Sequence, residues 1–336
     1  MENDKKKVLI ATGTPFDLDV RVRMANTLMA NGLDVAVLEN YQGWQLEEEI
    51  SSANYLIVRS DKIDRQLIDR ASNLELIVRA GSGINTIDVD YAQLKGIEVQ
   101  NTNGANAVSV AELAVGMMVT LARDLHMQNY QAGNPAKQNG HFEMFGKKIG
   151  LHGFGAVGVQ VARRAKAFGL NIFAYDTNPE IDYNPPGMEK SFGFDSVTGA
   201  RNIEDVYRNS QFVSIHVPLT DETEGKVNYE LISLMRSNGI LINTARPEIV
   251  NYGDLARIME ENPKFKYAAD VSKDEFREFA ENNGLAEFKS RLFITNKIGA
   301  QTYEANHNAA IQAANKVIEY KQRMDRVIVA DSTFLQ

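Results

Sequence analysis

The segment KIGLHGFGAVGVQVARRAKAFGLNIFAYD, between Lys148 and Asp176, leaves few folds open. It reads as a strand, a glycine turn, a helix, a second strand and an acid. Gly153, Gly155 and Gly158 carry the spacing G-x-G-x-x-G. The first permits a tight turn, the second lets the backbone approach a pyrophosphate, and the third lets helix and strand pack closely. The helix N-terminus behind them offers unpaired N–H groups and a positive dipole end to the phosphates. Asp176 stands 18 residues past Gly158, where it can accept hydrogen bonds from a ribose 2′-OH. A 2′-phosphate at that point would meet like charge, so the pattern favours NAD over NADP.

The rest of the chain extends this unit. Short apolar runs alternate with helical patterns in two series, the signature of parallel α/β architecture. The first series is Val8–Ala11, Val35–Leu38, Tyr55–Val58, Leu76–Val78 and Ile97–Val99. The second is Ile149–His152, Ile172–Tyr175, Phe212–His216, Ile240–Asn243, Phe265–Ala269 and Leu292–Thr295. Between them, Asn106–His126 has helical periodicity with Met117 and Met118 on its apolar face, and Ser109 with Glu112 reads as a capping box. Thr302–Met324 is a second long helical pattern. The polar, Gly/Asn/Pro-rich stretches Gln128–Phe145 and Thr177–Thr198 read as loops. The expected fold is α/β: two doubly wound parallel-sheet domains with a cleft between them. A flavodoxin-like substrate domain takes 1–101 plus 300–336, and a Rossmann nucleotide domain takes 102–299.

Composition narrows the function. A formal charge of −8 over 336 residues argues against nucleic acid or an anionic membrane surface as partner. The absence of cysteine excludes disulfides, thiolate catalysis and Cys-ligated metals, and no metal site is expected. The start MENDKKKVLIATG has no apolar signal-peptide core, and the longest uncharged apolar run, Leu113 to Ala122, is too short to span a bilayer. A cytoplasmic location is expected.

Ligands of open α/β sheets bind at the carboxyl ends of the strands, which converts the strand list into candidate site residues. The first domain delivers Arg59-Ser60, Arg79-Ala80-Gly81 and Asn101; the second delivers Gly153, Asp176, His216-Val217-Pro218, Thr244-Ala245-Arg246, Asp270 and Lys297. Arg246 suits a substrate carboxylate, because its planar fork binds bidentately and stays charged. No histidine ends the last strand, whereas Lys297 does. A lysine ammonium donates a proton in a reducing direction without tuning, and accepts one in the oxidising direction only where its surroundings favour the amine.

With those residues in view, the chain resembles the D-isomer-specific 2-hydroxyacid dehydrogenases, and among them the phosphoglycerate dehydrogenases. The resemblance runs from about Tyr55 to Ile318 and rests on VRS (58–60), VRAGSGINTID (78–88), NGANAVSVAELAVGMM (103–118), LHGFGAVG (151–158), VSIHVPLTDET (213–223), LINTARPEIV (241–250), ADV (269–271) and IGAQTYEAN (298–306). It implies NAD-dependent oxidation of D-3-phosphoglycerate to 3-phosphohydroxypyruvate, with Arg246 and Glu275 in catalysis. The family histidine is replaced by Lys297, as in a subgroup of these enzymes. Substrate contacts are implied for Arg59, Ser60 and Arg79 at the phosphate, Ser82 and Gly83 at the carboxylate, and Asn106. NAD contacts are implied for Gly153, Gly155, Ala156, Val157, Gly158, Asp176, His216, Val217, Pro218, Thr223, Thr244, Ala245, Arg246, Asp270, Gly299 and Ala300. A homodimer and the lack of a serine-feedback domain also follow from the resemblance. Two other readings stay open: a glyoxylate, hydroxypyruvate or D-lactate dehydrogenase, and a non-catalytic NAD-sensing protein akin to corepressor relatives of the family.

Overall fold

In the computed structural model, residues 5–128, 141–184 and 197–333 are described. The chain divides into two units, Met1–Asn106 with Thr302–Gln336, and Ala107–Gln301. The crossings thus fall at 106/107 and 301/302, where the sequence pattern put them at 101/102 and 299/300. The expected loops Gln128–Phe145 and Thr177–Thr198 lie largely outside the described residues.

The first unit holds β1 (Lys7–Thr12), β2 (Asp34–Glu39), β3 (Tyr55–Val58), β4 (Leu76–Arg79) and β5 (Glu98–Asn101), ordered β2-β1-β3-β4-β5 and parallel throughout. This is the flavodoxin-like order. Alternate residues feed opposite cores. Val8, Ile10, Tyr55, Ile57, Leu76 and Val78 pack with Ala310, Ala313 and Val317 of the C-terminal helix Tyr303–Thr333. Leu9, Ala11, Leu56, Val58 and Ile77 face the other way, onto Leu46, Leu67, Ile68 and Ala92 of three short helices. A strand buried on both faces must be apolar throughout, which is why these runs lack the polar alternation of a half-exposed sheet.

The second unit holds β6 (Lys148–His152), β7 (Asn171–Tyr175), β8 (Thr198–Gly199), β9 (Phe212–Ile215), β10 (Ile240–Asn243), β11 (Lys266–Asp270) and β12 (Leu292–Thr295). Their order is β12-β11-β10-β9-β6-β7-β8, again parallel. This is the doubly wound nucleotide-binding arrangement with one added edge strand. The two-residue β8 was not foreseen, because its Thr-Gly sequence carries no strand pattern. The helix Ala107–Arg123 buries Ala111, Ala114, Met117, Met118 and Leu121 in one core. Ser109 is its third residue and not its cap: the hydroxyl donates to the Gly299 carbonyl at 2.6 Å, while Glu112 pairs with Arg164. The capping-box reading therefore fails; a buried tertiary bond uses the serine instead.

Each sheet has one place where neighbouring connections leave in opposite directions. In the first it lies between β1 and β3, in the second between β6 and β9. Loops at the carboxyl side of such a switch point diverge and leave room for a ligand. The fold tolerates little change beneath the second one. A Cβ on Gly150 of β6 would stand 2.5 Å from Val206 Cγ1 and 2.9 Å from the Val206 carbonyl, on the helix Ile203–Asn209. Gly150→Ala should therefore cost about 1–3 kcal/mol by overpacking. A thermal scan should show the midpoint falling by roughly 2–12 °C, and an unchanged midpoint would mean that helix and strand are not held this closely.

Candidate active site

At the second switch point the three glycines have separate reasons to be glycine. Gly153 has φ +98°, and a Cβ there would lie 2.8 Å from the His216 backbone. A Cβ on Gly158 would come within 2.4 Å of the Gly153 carbonyl. Around Gly155, which precedes the helix Ala156–Ala167, there is open space. Two glycines thus pack the turn, and the third leaves its exposed side and the helix N-terminus free for an anion. Asp176, directly after β7, accepts from the Phe154 N–H at 2.8 Å with one carboxylate oxygen and from the Asn178 N–H at 2.9 Å with the other. It shapes the glycine turn, and each oxygen keeps acceptor capacity for a ribose hydroxyl.

Two buried polar atoms on neighbouring strand ends have no partner among the described residues: His216 Nε2 after β9 and Thr244 Oγ1 after β10. Other buried polar atoms also lack a partner, Ser210 and Ser214 Oγ among them, but these two sit at the switch-point edge, where a ligand could satisfy them. Together with the open Gly155 they fit a dinucleotide lying along this edge. His152 Nδ1 is 3.1 Å from the Tyr207 hydroxyl. Enclosure away from water pulls the His152 pKa down to about 4 and that of His216 to about 3, the latter also lowered by its His152 neighbour. Both imidazoles are neutral near pH 7 and do not supply the proton carrier.

The next three strands end side by side, Asn243 pairing with Ala269 and Ala269 with Ile294. Asn243, fully buried, clamps the turn after β10: its Oδ1 accepts from the Ala245 N–H at 2.9 Å and its Nδ2 donates to the Arg246 carbonyl at 2.8 Å. Arg246 Nη1 donates to the Ala245 carbonyl at 2.9 Å. The Asp270 carboxylate, at the end of β11, accepts from Thr295 Oγ1 (2.6 Å), Ile298 N (2.8 Å) and Gly299 N (2.7 Å). This gathers the chain after β12 into a tight turn and forces Lys297 to φ +52°, rare for a residue with a side chain. A Cβ on Gly299 would lie 2.7 Å from Asp270 Oδ2, so the turn needs glycine there. From this turn Lys297 Nζ reaches Glu275, 3.0 Å from Oε1 and 2.9 Å from Oε2. Glu275 lies in the first turn of the helix Lys273–Asn282, capped by Ser272. Of the expected cofactor residues, Asp270 and Gly299 thus build the lysine turn. The Thr223 hydroxyl donates to the Pro218 carbonyl at 2.7 Å and closes its own loop.

At the switch point of the first unit, the half-buried Arg59 Nη1 donates to the carbonyls of Thr14 (3.2 Å) and Pro15 (2.9 Å), and Nη2 to Asn306 Oδ1 (2.7 Å). Its guanidinium also lies over the Phe16 ring, 4.7 Å from the centroid. All these partners are neutral. Burial lowers the Arg59 pKa from its ordinary value, and Asp61 and Asp17 act in the opposite sense. Arg79 Nε donates to the Arg59 carbonyl at 2.8 Å, and its guanidinium crosses the backbone at Gly81 so closely that a Cβ there would be 2.3 Å away. Ser60 is exposed beside them. Ser82 Oγ donates to Asn106 Oδ1 at 3.3 Å, and the Ser82 carbonyl accepts from Asn101 at 2.6 Å. Asp61 was not foreseen: its carboxylate accepts from Gly13 N (2.6 Å), Tyr41 OH (2.6 Å) and Arg59 N (3.1 Å), tying the ends of β1, β2 and β3 together. Neither were Thr14-Pro15-Phe16 or Asn306 as partners of Arg59. No local pattern marks them, because they meet only through the fold.

Comparison with known proteins agrees with this geometry. The profile of the D-isomer specific 2-hydroxyacid dehydrogenase NAD binding domain matches residues 115–299. The chain is 34% identical over 278 residues to D-3-phosphoglycerate dehydrogenase of Methanocaldococcus jannaschii, covering 82% of this chain and 50% of that one. It therefore spans about half the length of that relative. It is 33% identical to hydroxypyruvate reductase of Thermotoga maritima, covering 88% and 94% of the two chains. Among solved structures it is similar to NAD+-bound 3-phosphoglycerate dehydrogenase of Entamoeba histolytica, with TM-score 0.77, 33% identity and coverage of 95% and 96%.

Two of the lowered histidines, His152 and His216, carry a pH signature. Below pH 6.5 an unfolded imidazole binds a proton that these folded ones refuse until about pH 4 and 3. The unfolded state therefore binds more protons, and stability is full above pH 6.5 and falls as the pH drops towards 4. Urea midpoints should decline between pH 6.5 and 5, a window in which carboxylates contribute little, and less steeply in His152→Gln. A flat profile over that window would contradict the burial of these rings.

Proposed function

The chain belongs to the D-isomer specific 2-hydroxyacid dehydrogenases, and from that premise we propose that it oxidises D-3-phosphoglycerate to 3-phosphohydroxypyruvate, the first step of serine biosynthesis. The observation that carries the substrate choice is the half-buried Arg59, whose guanidinium donates only to neutral acceptors. A half-buried guanidinium that hydrogen-bonds only neutral groups, with the Asp61 and Asp17 carboxylates near but not bonded to it, still gains from a bonded anion, and a phosphate dianion takes a second cation well, here Arg79. On this reading Ser60 adds a hydroxyl to the phosphate, and Asn106 with the N–H groups near Ser82 and Gly83 helps bind the rest of the substrate.

Arg246 grips the carboxylate and polarises the oxygen on C2. Its charge is permanent, and the Asn243 clamp fixes the turn that presents it. Lys297, held by Glu275, handles the proton on that oxygen: the ammonium donates it in reduction, and in oxidation it takes the proton after releasing one of its own to solvent. The glycine turn, Asp176, His216 and Thr244 would hold NAD, whose nicotinamide would supply the hydride acceptor for C2. The remaining cofactor contacts of this reading are Ala156, Val157, Val217, Pro218, Thr223, Ala245, Asp270, Gly299 and Ala300. A cytoplasmic homodimer belongs to the same proposal. Among the described residues no helix is long and apolar enough to cross a membrane.

An unphosphorylated 2-keto acid is the second reading, favoured because the hydroxypyruvate reductase of T. maritima is matched over 94% of its length. Steady-state assays with NADH separate the two. 3-Phosphohydroxypyruvate should exceed hydroxypyruvate and glyoxylate in kcat/KM, and Arg59→Ala should erase that advantage while sparing the unphosphorylated acids. Equal kcat/KM for phosphorylated and plain substrates would move the assignment to the reductase.

Lys297→Ala should lower kcat by about 10²- to 10⁴-fold, the usual loss for a positioned acid–base group. Its NADH affinity, followed by nucleotide fluorescence, should stay near that of the parent. Undiminished turnover would remove Lys297 from the mechanism.

A further inference from the structure

Beneath the Arg246 turn lies a buried pair of hydroxyls that the chemistry above does not use. Tyr267 of β11 pairs with Leu241 of β10, so its side chain shares a sheet face with Asn243, two residues further along β10. The fully buried Tyr267 hydroxyl faces the Asn243 side chain, whose dipole favours its ionised form, and lies 3.3 Å from the Tyr252 hydroxyl. Asn243 is the clamp of the Arg246 turn, and its amide has a second N–H for the tyrosine.

Tyr252, the first residue of the helix Tyr252–Glu261, extends this contact sideways. Its ring meets Tyr267 edge-on at 6.2 Å and Phe276 edge-on at 6.0 Å, and stacks on Phe279 at 4.8 Å and 15°. Phe276 and Phe279 belong to the helix that carries Glu275. One aromatic block therefore touches both the turn bearing Arg246 and the helix bearing the partner of Lys297. If packing alone were required, phenylalanine would fill the same space without burying two oxygens.

We propose that Tyr267 and Tyr252 are positioning residues, holding Asn243, and through it Arg246, in register with the helix of Glu275. The proposal rests on the reading of Arg246 as the carboxylate anchor. A misplacement of such an anchor by about 1 Å costs on the order of 10²-fold in rate, so loss of one supporting hydroxyl is expected to show in kinetics before it shows in folding.

The test is a double-mutant cycle on the full chain, with Tyr267→Phe, Tyr252→Phe and Arg246→Lys singly and each tyrosine variant combined with Arg246→Lys. The keto acid is whichever the parent enzyme turns over best. Tyr267→Phe should raise KM and lower kcat/KM by about tenfold, with NADH affinity and thermal midpoint close to the parent. In the Arg246→Lys background the same change should have less than about a twofold effect, since the group it positions is already altered. Tyr252→Phe reads the same coupling should Tyr267→Phe fail to fold. Parent-like kinetics in both tyrosine variants, or the same loss with and without Arg246, would overturn the proposal while leaving Arg246 as anchor. Parent-like kinetics in Arg246→Lys itself would overturn the anchor and the proposal together.

Discussion

Burial of every central strand on both faces is the constraint from which the rest follows. A strand such as Leu241–Ile242, flanked by strands and covered above and below, has no place for a charge along its length. Charged and polar side chains are pushed to the strand ends, and because all strands in a sheet run parallel, their carboxyl ends share one edge. The second unit thus gathers Asp176, His216, Arg246, Asp270 and Lys297 on one rim without any of them being adjacent in sequence. Chemistry collects there because the core excludes it elsewhere.

At that rim, backbone turns are held by side chains that cap them. Asn243 clamps the Arg246 turn, Asp270 the Lys297 turn, Asp176 the glycine turn and Asp61 the Arg59 loop. Each accepts backbone N–H groups that would otherwise go unsatisfied where the ladder ends. Such a carboxylate or amide does two things: it satisfies the backbone and it aims the next side chain. Asp270, which a sequence reading assigns to ligand contact, thus also serves the structure.

The strands and their order of appearance were legible because a doubly buried strand leaves an uninterrupted apolar run. The glycine turn was legible because two of its three glycines answer to close contacts that no other residue tolerates. The ends of the strands could be named, and with them Arg246 and Lys297; Glu275 was named only through the family resemblance, and the fold brings it within 2.9 Å of Lys297. What could not be read was contact made across the chain. Asn306 meets Arg59 across 247 residues, and Thr14-Pro15-Phe16 surround it from the end of a different strand. Ser109 was misread for the same reason: Ser-x-x-Glu has the form of a cap, but the bond its hydroxyl makes is to Gly299, 190 residues away.

Lys297 illustrates how the rim can accommodate an exchange of proton carriers. Its left-handed backbone costs about 1–3 kcal/mol for a residue with a Cβ, and the two N–H groups that follow it offset this by bonding the Asp270 carboxylate. Hydrogen bonds to a charged acceptor contribute about 1.5–3 kcal/mol each, so the turn is held firmly despite the strained residue. The stem leaves from a fixed base, and Glu275 holds its far end. The ion pair is exposed, so the restraint at the far end is modest, but it favours one direction for a long flexible side chain. Lysine is a poor proton carrier when its amine wanders; a fixed base and a carboxylate partner at the tip reduce that wandering. The same reasoning explains why the support is arranged in depth, with a carboxylate beneath the turn and a helix opposite it, instead of being left to the lysine alone.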